Sequence, residues 1–507
     1  MDYTRSKKCD NNQGGSSELY IFPFQKYSRS QITVVDNMLI KFPYNEIFNL
    51  NANNISFDEE CKEDGDVYYE QKVSFQLKKI LKEDNFKGLS SKDFRIVTKD
   101  NNGNYRLLGL YTGLSGSFTK STGTNRVDFN GYSFNFETKE ENTAPFLNGL
   151  SLFEKNLKIT IDTSLGALDT FTIPTTIDES YLYSITTSDG YVATGVTGDH
   201  TITFPTGAGV HEITISGVFP RFYFNNSGDK DKLISVGSWG EIQYSINQNG
   251  AFYGCSNLSS ISNDIQWINQ ITTAKDTFRS TGISSLPSEM TLSSLTNGSG
   301  TFFGNNLTSL PSGMVLDNIT SAFGMFRSCS LTSLPPLMNL DNLTFGAGMF
   351  FGNNLTSLPN GMNLNLLTNG LDMFKNNSLT DLPSGMNLSS IQRANFMFSD
   401  NSLASLPASM SLSLLVNASE MFKNNSLTDL PSGIKLQSLN SGGDMFFGNT
   451  INTARYSQLL IDLESLNPNN NVSFSGGNSK YNASGETARN ILTSSPRLWT
   501  ITDGGLE

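Results

Sequence analysis

Residues 350–374 read FFGNNLTSLPNGMNLNLLTNGLDMF, and residues 374–398 read FKNNSLTDLPSGMNLSSIQRANFMF. Laid over each other, the two stretches match at Phe, Leu, Leu-Pro, Gly-Met and Met-Phe, 24 residues apart. The same step places prolines at Pro287, Pro311, Pro335, Pro359, Pro383, Pro407 and Pro431. It places phenylalanines at Phe278, Phe302, Phe326, Phe350, Phe374, Phe398, Phe422 and Phe446, and apolar residues from Ile283 to Leu427 and from Leu292 to Leu436. One such unit cannot bury its own Phe, Met and Leu, whereas stacked units bury them in columns.

A period of this length, with Leu, Asn and Leu at these offsets, predicts a leucine-rich-repeat solenoid over residues 236–450. At a strand spacing of about 4.8 Å, seven to eight units make a rod of roughly 35 Å. The Phe and Met columns read as packing ladders, not as a cofactor box. One polar column runs through the apolar ones: Asn305, Cys329, Asn353, Asn377, Asn401, Asn425 and Asn449. A buried asparagine there can satisfy the backbone polar groups of a turn, and cysteine substitutes as a small apolar group with a weak donor. Cys255, in FYGCSNL, has the same context, so both cysteines read as structural.

The columns that vary between repeats are expected to face solvent. The clearest is Thr291, Val315, Asn339, Asn363, Asn387, Ser411 and Lys435, of which Val315 to Lys435 are the candidate ligand-facing positions, together with the tract before each Met-Phe. Residues 451–507 break the period. Tyr456, Leu459, Leu460, Leu463 and Leu466 share one helical face, a second helix is expected near 486–492, and the WTITDGG close adds a short strand. This segment reads as a small α/β cap over the last layer.

Ahead of the repeats, residues 156–235 carry short alternating strands at 157–162, 170–174, 200–204 and 211–217, which predicts a small β-sandwich. Residues 17–150 read as an antiparallel β-domain, with strands at 31–35, 67–77, 94–97, 105–111 and 131–137 and turns at Asn102-Gly103 and Asn130-Gly131. The first 16 residues read as a polar arm. The fold class is therefore mainly β and multidomain, with boundaries at 1–155, 156–235, 236–450 and 451–507.

Composition narrows the function. The 507 residues carry a net charge of −12, so no basic face for nucleic acid is expected. Residues 1–155 hold 20 of the 35 Lys and Arg and 21 of the 47 Asp and Glu; this stretch is nearly neutral, and the acidity lies beyond it. Two histidines, His200 and His211, leave little for a metal site or acid–base catalysis. The four cysteines, Cys9, Cys61, Cys255 and Cys329, form no CxxC pair, so a reducing compartment is expected. The N-terminal stretch lacks the apolar run of a leader, and no stretch is long and apolar enough to predict a membrane span. Asp317 and Asp341 share an offset in adjacent repeats, but each precedes Asn in a turn-like pair, while Asp372 and Asp444 are three repeats apart. No catalytic, cofactor-binding or metal residue is assigned.

From about residue 156 onward the chain resembles BspA-like leucine-rich-repeat surface proteins. The resemblance rests on GDHTITFPTGAGVHEITISG (198–217), LISVGSWG (233–240), AFYGCSNL (251–258), the repeats and WTITDGG. The sandwich stretch is similar to PKD-like immunoglobulin domains, with Asp189-Gly190 where that family tends to have WGDG and His211 in place of its aromatic. The segments KFPYNEIF (41–48), DVYYEQKVSFQL (66–77), DFRIVTKDNNGNYRLLG (93–109) and NGYSFNFETKEENTAPFL (130–147) resemble attachment domains of phages that infect Bacteroidetes. The resemblances imply a virion structural protein made in the host cytoplasm and exposed as an appendage. It would be anchored to other virion proteins through residues 1–155, assembled as a homo-oligomer, and directed at a host glycan or protein through the repeats. The alternative they imply is a bacterial surface adhesin. No cofactor, nucleic-acid partner or membrane insertion is expected.

Overall fold

The computed structural model describes residues 16–42, 47–50, 52–78, 92–122, 129–147, 149, 150, 153, 156–166 and 169–507. Among these residues the chain is mainly β, with several sheets and two α-helices. It forms two compact units, residues 1–157 with 238–241, and residues 158–237 with 242–507.

The first unit contains β1 (Ser16–Pro23), β2 (Thr33–Val35), β3 (Met38–Lys41), β4 (Phe48–Asn49), β5 (Asn53–Asp64) and β6 (Asp66–Lys78). It continues with β7 (Phe94–Asp100), β8 (Tyr105–Leu108), β9 (Ser115–Ser121), β10 (Gly131–Glu140) and β11 (Phe146–Leu147). They form one sheet in the order β2-β3-β11-β8-β7-β1-β5-β6-β10-β9, with β4 beside β1. Pairing is antiparallel except between β3 and β11. Alternation along the central strands explains two cores. Leu19, Ile21, Ile96 and Leu108 pack with Val73, Phe75, Phe134 and Phe136, whereas Phe22, Val97 and Leu107 pack with Ile32, Leu39, Phe42 and Phe153.

Three sequence expectations change here, the first being the strand expected at 105–111, which ends at Leu108 where the chain turns. The strand expected at 31–35 is shortened because Arg29–Gln31 forms a 3-10 turn. Asn102-Gly103 does turn the β7–β8 hairpin, but Asn130-Gly131 does not form a turn. Gly131 lies inside the sheet, opposite both Lys78 and Ser121, where a Cβ would stand 2.1 Å from the Leu77 carbonyl oxygen. Its glycine serves close backbone approach. The expected N-terminal arm, apart from Ser16, and Cys9 lie outside the described residues.

In the second unit, β12 (Leu157–Asp162), β13 (Thr170–Ile173), β14 (Leu182–Thr187), β15 (Val192–Val196), β16 (His200–Thr203), β17 (Val210–Val218), β18 (Leu233–Ser238) and β19 (Ser260–Ile261) build two sheets. One has the order β15-β14-β17-β12-β18-β19, the other is β13-β16. Ile159, Ile161, Phe171, Ile173, Ile185 and Ile202 are fully buried. Because β19 belongs to the start of the repeats and pairs in parallel with β18, the sheet runs directly into the stacked region.

Each repeat is mostly turns and adds a single-residue parallel bridge to its neighbour, in the series Asn247, Thr273, Asn297, Ser321, Phe345, Asn369, Arg393, Asn417 and Ser441. The Met-Phe turn adds further inter-repeat bonds. In one step Ala274, Asp276, Phe278 and Ser280 donate their N–H groups to Asn297, Ser299, Thr301 and Phe303. The prolines have a local use as well: the Pro287 carbonyl accepts from Met290 N–H, and the later repeats copy the contact. Inside, the Phe column from Phe252 to Phe446 is stacked nearly face to face at 5.3–5.8 Å per step, wider than the strand spacing used to predict the rod.

The stack closes with β20 (Ser441–Gly442), α1 (Thr453–Leu466), β21 (Ser473–Ser475), α2 (Ala483–Thr493) and β22 (Thr500–Thr502). The strands form a parallel sheet β20-β21-β22, and the Phe474 ring meets Phe446 edge-on, ending the face-to-face column. Tyr456, Leu459, Leu460 and Leu463 are buried as expected, but Leu466 ends the helix 44% exposed. Asn452 and Asn482 cap the two helices by accepting backbone N–H groups.

Candidate functional site

The polar column is built into the interior. Asn353, Asn377, Asn401, Asn425 and Asn449 each donate through Nδ2 to two Phe carbonyls, one in their own repeat and one in the repeat before. Each also accepts, through Oδ1, the N–H of a Leu in the preceding repeat. Asn305 donates in the same way but accepts from the Thr281 hydroxyl, at 2.6 Å. Cys329 lacks the amide and donates through Sγ to the Phe302 carbonyl at 3.2 Å. Burial drives the Cys255 thiol well above its ordinary range and the Cys329 thiol up to about 12. These groups serve the stack.

The candidate ligand-facing column is less free than its variability implied. Thr291, Val315, Asn339, Asn363, Asn387, Ser411 and Lys435 are all half-buried. Asn339, Asn363 and Asn387 turn their side-chain oxygens back onto the N–H two residues ahead. Lys435 pairs with Asp462 of α1 at 2.7 Å. The structure therefore aligns the column but occupies several of its polar groups locally. Asp317 and Asp341, the adjacent acids, are exposed turn residues; the Asp317 carbonyl accepts from Asn342 and the Asp341 N–H donates to Asn339.

A different edge carries unassigned chemistry. Each Met-Phe turn passes twice through the left-handed region, at Gly250, Asp276, Gly300, Gly324, Gly348, Asp372, Phe396, Glu420 and Asp444, and again four residues later from Gly254 to Gly448. Between these bends, just after each ladder Phe, stand Tyr253, Arg279, Phe303, Arg327, Phe351, Lys375, Ser399, Lys423 and Phe447, all at least partly exposed except the buried Ser399. Rings and cations alternate along most of this edge. Arg279 lies over Tyr253 and Phe303 at 5.2 and 4.4 Å, and Arg327 over Phe303 and Phe351 at 5.9 and 3.8 Å. Lys375 and Lys423 lie over Phe396 and Phe447. The alternation is visible at the 24-residue offset, but a pattern of two residue classes is harder to see than an invariant Phe.

Carboxylates border the same edge. Asp276 pairs with Arg279 at 3.1 Å and Glu420 with Lys423 at 2.8 Å. Asp372 is held above the usual carboxylate range, chiefly by burial. On the Leu-Pro side, Leu334, Leu358 and Leu382 floor a shallow groove of about 540 Å³ rimmed by Ser333, Ser357 and Asp381.

Within residues 156–235, His211 stacks on Phe204 at 3.9 Å, and its Nδ1 lies 3.7 Å from Asp189. His200 meets the Tyr191 hydroxyl at 2.7 Å. The two histidines have separate partners, and among the described residues no three His, Cys, Asp or Glu gather as a metal site. No described helix is long and apolar enough to cross a membrane. No protein-family model matches the chain, and no curated protein matches it.

Proposed function

We propose that the chain is a phage virion structural protein whose N-terminal domain, residues 1–155, anchors it and whose repeats recognise the host surface. In this reading residues 156–235 are an Ig/PKD-like sandwich, residues 236–450 a leucine-rich-repeat solenoid, and residues 451–507 its cap. The observation that carries the recognition role is the turn edge, where partly exposed rings and cations stand at eight of nine successive turns. Aromatic and Arg side chains dominate the energetics of recognition surfaces, and their repetition suits a repetitive ligand such as a surface glycan. The anchoring role rests on the resemblance of the N-terminal segments to phage attachment domains and on their near-neutral charge, which lets copies assemble without long-range repulsion.

The test is adsorption to host cells by the full chain and by a form lacking residues 236–507. The account expects adsorption to be lost with the repeats; unchanged adsorption removes the recognition role. The alternative, a bacterial surface adhesin of the BspA-like class, would use the same turn edge. Neighbouring portal, capsid and tail genes support the virion reading, whereas neighbouring export machinery supports the adhesin.

A further inference from the structure

Four basic residues occupy the outward column of the turn edge, and three have an acid three positions earlier: Asp276 before Arg279, Asp372 before Lys375 and Glu420 before Lys423. Before Arg327 the position is Gly324. The consequence is chemical. Arg279 donates to Asp276 and Lys423 to Glu420, whereas among the described residues neither the Arg327 guanidinium nor the Lys375 ammonium donates a hydrogen bond or has a carboxylate within 4 Å. Burial, foremost, raises the Asp372 carboxyl while Lys375 and then Arg327 lower it, so Lys375 has an acid on its own turn and Arg327 has none.

The surroundings hold this cation in place. Phe351 lies 3.8 Å from its carbon centre and Phe303 covers it at 5.9 Å. Gly348 leaves room beside it, since a Cβ there would stand 3.1 Å from Nη1. On the same two turns as Arg327 and Gly348, the Phe323 and Phe345 rings lie 6.3 Å apart and are 49% and 37% exposed. A guanidinium whose faces meet rings keeps its N–H edge for a planar oxyanion, which it binds in fork geometry.

We propose that Arg327, with Phe323 and Phe345, forms a binding site for an acidic polysaccharide, the Arg taking a sugar carboxylate and the rings taking apolar sugar faces. This deepens the reading of the repeats as a host-recognition array and rests on it. The border selects against a dense polyanion, because Asp372, Glu420 and Asp444 share the edge and would repel closely spaced charges. A glycan with an acid on only some of its sugars fits a guanidinium whose own turn carries no acid and whose faces meet rings. An acidic peptide is the competing occupant.

The test titrates the full chain with a hexasaccharide of alternating glucuronic acid and N-acetylglucosamine, with its carboxyl-reduced counterpart, and with a glutamate-rich peptide. The expected result is saturable binding of the acidic sugar and at least about tenfold weaker binding of the other two. Arg327→Gln should lose about tenfold or more. Gly324→Asp should lose as much by supplying the internal partner; its backbone, at φ +57, matches that of Asp276, Asp372 and Asp444. Lys480→Gln, which removes an exposed charge from the terminal segment, should bind as the unaltered chain does. Failure to bind the acidic sugar, equal binding of the reduced sugar or the peptide, or indifference to both turn-edge variants overturns the proposal. Host-cell adsorption by the same preparation separates the two levels: adsorption without acid-sugar binding defeats this site alone, whereas a chain that does not adsorb defeats the recognition role.

Discussion

Cys329 is the weak step in an otherwise uniform column. Asn353, like its asparagine counterparts, donates to two carbonyls and accepts once, whereas the Cys329 thiol donates to the Phe302 carbonyl alone among them. Cys329→Asn is expected to raise the denaturation midpoint, by about 1 kcal/mol of stability, through the restored pair of donors and the acceptor for Leu307 N–H. Asn401→Ala should act the other way by about 2 kcal/mol or more, because it strips partners from Phe374, Phe398 and Leu379. Chemical unfolding of both variants checks the pair, and equal midpoints would show that the column is not what holds the turns. The thiols give a second check. In a chain with Cys9 replaced by Ser, the exposed Cys61 should react with a thiol reagent at neutral pH, while Cys255 and Cys329 should react only on unfolding.

At the scale of elements, the strands of residues 156–235 hold a small electrostatic joint. The Thr187 hydroxyl, foremost, and Thr206 hold the Asp189 carboxyl below its usual range, with His211 beside it. A carboxyl depressed in this way stabilises the folded state above its unfolded titration range, and that contribution is lost as pH falls through the lower native value. The denaturation midpoint is therefore expected to fall below about pH 4 more steeply in the unaltered chain than in Asp189→Asn. The terminal segment gives a mechanical test. Removing residues 451–507 uncovers Phe446, separates Lys435 from Asp462, and takes away Asn467, which donates to the Leu436 and Leu439 carbonyls. Such a chain should aggregate or melt at a lower temperature, as measured by light scattering during heating.

Much at this scale was legible in the sequence, because invariant Phe, Leu and Pro report packing directly. The strands β12, β13, β16 and β17 could be read from alternating Ile, Phe and Thr, whereas β14, β15 and β18 lacked an equally clear pattern. The Gly131 position misled because Asn-Gly marks hairpins, and only the facing Leu77 carbonyl shows another use. The outward columns were least legible. Variability suggested exposure for Asn339, Asn363 and Asn387, but their side chains also close local turns. Arg327 differs from Arg279, Lys375 and Lys423 through the glycine three residues before it, where each of the others has an acid.

Across the whole molecule, charge and repetition separate the proposed roles. The near-neutral residues 1–155 suit assembly with copies of themselves, and the acidic remainder keeps a displayed array soluble. The central claim joins these parts: one region held in a particle, the other presented to a host. Electron cryo-microscopy of the purified virion tests it most directly. The account predicts density for residues 1–155 at a symmetric contact with other virion proteins, with the repeats directed outward; particles that contain no copy of the chain would contradict it.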